Sequence, residues 1–237
     1  MGLPVHVQSS GWVDDVSNVA TITVPGVTDA NNTILVVVAQ TSATPRTYTV
    51  TSASGTITFD KRQDHNPGRV VQIWSGTAYT VTPPTDNIIV VTASGSSVFS
   101  ALAVEVSGLD LAGIYDVSDE FTNAAGQTTH FSAASGSIDT AANTYCIAVG
   151  VLSASSGGFT AGTNWNSLGE SSAAEQLAQY RISASALTDE RGIMTTVTGR
   201  ASDCAVASFK GTSTSFVPFP RPRGMSGGMR PMSGGLA

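Results

Sequence analysis

The chain has 237 residues, of which 12% are charged, with a formal net charge of −6 and a pI near 4.8. That balance excludes a nucleic-acid-binding body, which would need a basic stripe against phosphates. Solubility rests instead on hydroxyls and amides, because about a quarter of the residues are Ser or Thr, a composition that suits strands better than helices.

In chain order, alternation and β-branched content predict strands over 19–24, 33–40, 47–52, 57–60, 69–75, 88–93 and 99–107. Further on, strands are expected over 128–132, 144–153, 165–168, 176–183, 193–198 and 204–210. Turn residues separate them at Pro25-Gly26, Asp29 to Asn32, Pro67-Gly68, Pro83 to Asn87, Ser156-Gly157-Gly158 and Asp189-Glu190. Ser171 to Gln179 carries some helical character but is read as mostly strand. The run 33–40, apolar at Ile34, Leu35, Val36, Val37 and Val38, should be a central strand covered on both faces. From Ser213 onward Pro and Gly exclude helix and interior strand, so 213–237 reads as an extended tail outside the core.

The chain repeats itself. Ala30-Asn31-Asn32-Thr33-Ile34 returns as Ala141-Ala142-Asn143-Thr144-Tyr145, and Gln72-Ile73-Trp74 as Gln179-Tyr180, at spacings of roughly 103 to 111 residues. The expected fold is therefore all-β: two tandem, similar β-sandwich units of jelly-roll or Ig-like type plus the C-terminal tail. The first unit spans 1–108, a linker 109–123, the second unit 124–212 and the tail 213–237.

No apolar run approaches the ~20 residues of a membrane-spanning helix. The opening Met1-Gly2-Leu3-Pro4-Val5-His6 has neither a basic leader nor a long apolar stretch, so the protein is expected to be made in the cytoplasm, without a membrane partner. Cys146 and Cys204 lie in predicted strands and read as two buried thiols, with a cross-strand disulfide as the alternative.

The sharpest polar cluster runs from Asp60 to Arg69, with Asp60, Arg62, Asp64 and His65 as a candidate surface-binding loop. It could hold a sugar or cation, but a solvated loop whose charges pair with one another or across a subunit contact is the better reading. Gly224-Met225-Ser226-Gly227-Gly228 matches the nucleophile-elbow pattern without the strand-turn-helix it needs. His6, His65 and His130 read as scattered surface positions with no metal spacing, and Trp74, Tyr79, Trp165 and Tyr180 as core aromatics. No catalytic residue, metal ligand or cofactor is expected.

The segment Ala101-Leu102-Ala103-Val104-Glu105-Val106-Ser107-Gly108-Leu109-Asp110, echoed by Cys204-Ala205-Val206-Ala207-Ser208-Phe209-Lys210-Gly211, resembles bacteriophage structural proteins built from Ser/Thr-rich β-sandwich units. The resemblance covers residues 15–212; the second half departs from it with Ser208 and Lys210, so Glu105 carries no shared role. It implies a non-enzymatic virion protein decorating or cementing the capsid. Its partners would be the major capsid protein, other virion proteins and further copies of itself, with a trimer favoured. The alternative is a carbohydrate-binding tail-fibre or adhesin module that holds a host glycan. In the tail, Phe216 and Phe219 with Arg221, Arg223 and Arg230 suit a partner groove with acidic walls.

Overall fold

A computed structural model describes residues 2–25, 31–42, 44–77, 87–135, 138–173 and 175–212. Among these residues the fold is all-β, with no helix, and every strand pairing is antiparallel. In the first half, β1 (Val5–Val16), β8 (Phe99–Ser107), β3 (Thr33–Gln40), β6 (Val70–Thr77) and β5 (Thr58–His65) form a five-stranded sheet in that order. It is covered by a three-stranded sheet of β2 (Val19–Thr23), β7 (Ile88–Ala93) and β4 (Tyr48–Ser52). The second half repeats the main-sheet order as β9 (Tyr115–His130), β14 (Met194–Lys210), β10 (Thr144–Leu152), β13 (Gln176–Ser183) and β12 (Asn166–Glu170).

The covering sheet of the second half is not separate. The beginning of β14 pairs on one side with β11 (Phe159–Ala161) and on the other with the end of β9. So β9 does the work of β1 and β2 in one strand, and β14 that of β7 and β8. Both must bend to pass from one layer to the other, and two glycines face each other at the bend. Gly126 has φ +81°, and a Cβ on Gly199 would lie 2.4 Å from the Gly126 carbonyl oxygen.

The halves are not sandwiches joined in tandem by a free linker. Their two main sheets pack face to face: Leu35, Val37, Val71, Ile73, Leu102 and Val104 share one apolar core with Ile147, Val149, Ala178, Ala205, Ala207 and Phe209. The predicted linker 109–123 is strand from Tyr115 onward, which leaves only a short connection after Gly108. All of β3 is buried, as expected of a central strand: Ile34, Val36 and Val38 face the covering sheet while Leu35, Val37 and Ala39 face the other half. Each such Val contributes about 1.5–3 kcal/mol relative to exposure.

The repeat also places these faces. Leu102, Val104 and Val106 and their counterparts Ala205, Ala207 and Phe209 all point into the shared core, as do Val71 and Ala178. Along β3 and β10, however, the sequence match is one residue out of phase. Val36 packs under the covering sheet while its apparent counterpart Ile147 lies in the shared core, because a slip of one residue turns every side chain to the other face. Equivalent faces meeting face to face give the contact the logic of an isologous dimer interface within one chain. It is reciprocal at the edges too: β5 meets β9 and, on the other side, β12 meets β1.

Candidate functional site

The stretch read as a charged loop is an edge strand. β5 runs through to His65, with a bulge between Lys61 and Gln63, and it lies against β9 of the other half. Alternate side chains therefore turn toward that neighbour. Gln63 donates to Glu120 and accepts from Ser118 at 2.5 Å. His65, only 8% exposed, brings Nδ1 to 3.4 Å from Glu120, and Nε2 to 3.2 Å from the Thr122 hydroxyl and 3.6 Å from Asp203. Asp203 also accepts from Arg69 at 2.8 Å and from Thr122 at 2.7 Å.

The remaining charges of the stretch pair within the first half. Lys61 bonds Asp64, whose other oxygen accepts from Gln72 at 2.8 Å. Arg62 reaches Asp60 at 2.9 Å and the Ser75 hydroxyl at 2.7 Å, and its guanidinium lies over the Tyr115 ring of the second half. Arg62 and Asp64 thus tie β5 to β6, and His65 with the Arg62 guanidinium ties the two halves together, while Asp60, exposed, pairs with Arg62 along the same strand.

The seam's electrostatics follow from these contacts. Burial alone would push the His65 imidazole down, but its hydrogen bonds and proximity to the Asp203 and Glu120 carboxylates outweigh that and hold it above 6.5. Burial would likewise raise the Asp203 carboxyl, yet donors from His65, Thr122 and Arg69 hold it below 3.8. Glu120, His65 and Thr122 stand in the order carboxylate, imidazole, hydroxyl, as in a nucleophilic triad. The chemistry does not follow, because the Thr122 proton is already given to Asp203 and the imidazole has none to take.

The histidines read as surface positions are not. His130 is fully buried between the hydroxyls of Ser202 at 2.8 Å and Thr196 at 3.0 Å, and burial pushes its imidazole down. His6, half-buried, stacks on Tyr180 at 4.3 Å and meets the Tyr145 hydroxyl at 3.1 Å. Sequence gave no sign of either, because the hydroxyl partners come from distant strands. Glu105 is buried and accepts from Gln8 at 2.5 Å and Asn32 at 2.6 Å, so the Asn31-Asn32 turn is tied to the sheet through its second amide. The two cysteines are buried free thiols, pushed up to about 11 for Cys146 and about 12 for Cys204 by burial.

Among the described residues no group of three His, Cys, Asp or Glu is placed to hold a metal ion, and no helix is long and apolar enough to cross a membrane. The tail residues Phe216, Phe219, Arg221, Arg223 and Arg230, the Gly224 to Gly228 motif and Tyr79 lie outside the described residues. No protein-family model, curated protein or solved structure matches the chain. What stands is the class that the fold defines: an all-antiparallel β protein of sandwich type.

Proposed function

We propose that this protein is a non-enzymatic structural component of a phage particle, decorating or cementing the capsid through self-association and contacts with the capsid protein. The observation that carries this reading is the engagement of the chain's densest charge cluster, Asp60 to Arg69, in contacts within the molecule. Its polar chemistry serves rigidity. What remains for partners is a surface of hydroxyls and scattered apolar side chains, among them Leu3, Val5, Val7 and Leu111, and weakly charged surfaces of this kind suit protein contacts. The resemblance to Ser/Thr-rich phage sandwich proteins supplies the particle.

The test is mass spectrometry of purified particles with copy-number estimation. Hundreds of copies per particle fit decoration; a handful point to a fibre or adhesin; none at all overturns the reading. The tail enters through a second measurement. Removing 213–237 should leave melting unchanged but sharply lower occupancy on particles, whereas full occupancy would put the adhesive surface on the sheets.

A further inference from the structure

Away from the seam, the second half opens a cleft of about 490 Å³ between β11, the turn leading to β12, and the β13–β14 connection. Its walls are fixed by close backbone approaches. A Cβ on Gly162 would lie 2.4 Å from the Ile193 carbonyl oxygen, and Gly192, at φ +54°, approaches Ala148 and Ser132 too closely for any side chain. Gln179 links both walls, accepting from the Gly162 amide at 2.9 Å and donating to the Ile193 carbonyl at 3.1 Å. Of the three described non-glycine residues with positive φ, Asp189 at +52° lines this cleft and Asn164 at +67° lies in the chain between the lining residues Thr163 and Trp165, and such strain gathers where a site is held in shape.

The lining is polar and charge-balanced. Glu190, 8% exposed, accepts from Trp165 Nε1 at 2.9 Å and from Arg181 at 2.5 Å. Arg191 faces Asp189 at 3.5 Å and stacks on Phe131 at 4.7 Å. The exposed hydroxyls of Thr160, Thr163 and Thr195 complete the lining.

Among the described residues, the first half fills the corresponding place on β6 differently. Gln72 and Trp74 on β6 hold the positions of Gln179 and Arg181 on β13, and Trp74 lies buried in an apolar cluster with Ile57 and Phe59 against it. A largely buried Arg–Glu pair often stabilises no better than an apolar filling of similar volume. Among the described residues such a pair stands in the second half alone, which calls for a reason other than stability.

We propose that this cleft binds a neutral saccharide of one or two rings. The volume lies in the range of small-molecule sites. Each arginine stands beside a carboxylate, so an anion or a cation would meet a like charge, whereas adjacent donors and acceptors match the vicinal hydroxyls of a sugar. A nucleobase would need an open ring face, and Trp165 is only 9% exposed. The site is independent of the virion reading, since a protein that never enters a particle can still hold a sugar.

The test starts with the full chain on an array of immobilised mono- to tetrasaccharides, followed by NMR titration of the ¹⁵N-labelled protein with the saccharide that binds. The Trp165 indole N–H resonance should shift while those of Trp12 and Trp74 stay. Thr163→Ala with Thr195→Ala should weaken binding about tenfold, as expected for one or two lost hydrogen bonds, without changing melting. Arg181→Met with Glu190→Gln, which removes both charges and keeps an acceptor for Trp165 Nε1, should abolish binding and keep the fold. An array without binding, a bound saccharide that leaves Trp165 unmoved, or binding indifferent to both double variants overturns the proposal.

Discussion

Where β5 meets β9, the halves are joined by His65, Gln63, Arg69, Glu120, Thr122 and Asp203 in one continuous polar network. Where the corresponding strands β12 and β1 meet on the other side, the described contacts form no such charged network, although His6 of β1 also stacks on Tyr180 of β13. The Trp12 indole donates to the Gly169 carbonyl at 3.2 Å, and Asp14 accepts from the Ser172 amide at 2.8 Å. The shared apolar core lies between the two edges and does not discriminate among near registers, since hydrophobic contact is non-directional. A buried network does, because each misplaced partner leaves a charge unpaired. The comparison therefore separates two tasks: the core holds the halves together, and one edge fixes how they lie.

The largest effect should come from the core itself. Val37→Asp would place a carboxylate between the halves, and Val36→Asp one beneath the covering sheet; each costs several kcal/mol. Both should abolish soluble expression. Unchanged yield and melting for Val37→Asp would mean that the halves do not share a core.

Next, Asp203→Ala should destabilise the chain by about 3 kcal/mol, because it strands Arg69 and His65 at a largely buried seam. Trp12→Phe at the other edge should cost about 1 kcal/mol, the worth of one hydrogen bond. Equal losses in chemical denaturation would erase the distinction between the edges.

A pH series sharpens the comparison further. The raised His65 imidazole contributes stability fully present below 6.5 and lost as pH climbs through its higher folded value. The lowered Asp203 carboxyl contributes stability present above 3.8 and lost as pH falls through its folded value. The seam is therefore strongest in mildly acidic solution, between those ranges. His6 and His130, both pushed down by burial, act in the opposite sense to His65 and lose stability as pH falls below 6.5. The difference between the wild type and His65→Gln isolates the seam: the wild-type advantage in melting temperature should shrink from pH 6 toward pH 8. A gap that stays constant would contradict the network. The smallest effect concerns the thiols: Cys146 and Cys204, buried and held protonated, should resist an aromatic disulfide reagent in the native state and react on unfolding.

Much of the strand framework was legible because buried strands announce themselves. The bounds 33–40, 88–93, 99–107 and 176–183 match β3, β7, β8 and β13. What escaped, wholly or in part, were edge strands: all of Val5–Val16, Tyr115–His130 except its end, and β5 beyond Asp60. They carry Ser, Asp, Gly, Gln and charged side chains in place of apolar alternation, so they resemble loops. The same bias hid the seam. Asp60 to His65 is conspicuous in sequence, but its partners Glu120, Thr122 and Asp203 come from the other half, and no local pattern links them. The cleft was invisible for a related reason. Arg181 and Glu190 look like ordinary surface charges until β13 and the turn before β14 bring them together under Trp165.

The claim that the two halves form one body with a common core is tested most directly by scanning calorimetry of the intact chain. A single transition is predicted, with calorimetric and van't Hoff enthalpies equal, because neither main sheet can lose its partner without exposing Leu35, Val37, Ile147 and Phe209 together. Two separable transitions, each assignable to one half, would contradict it.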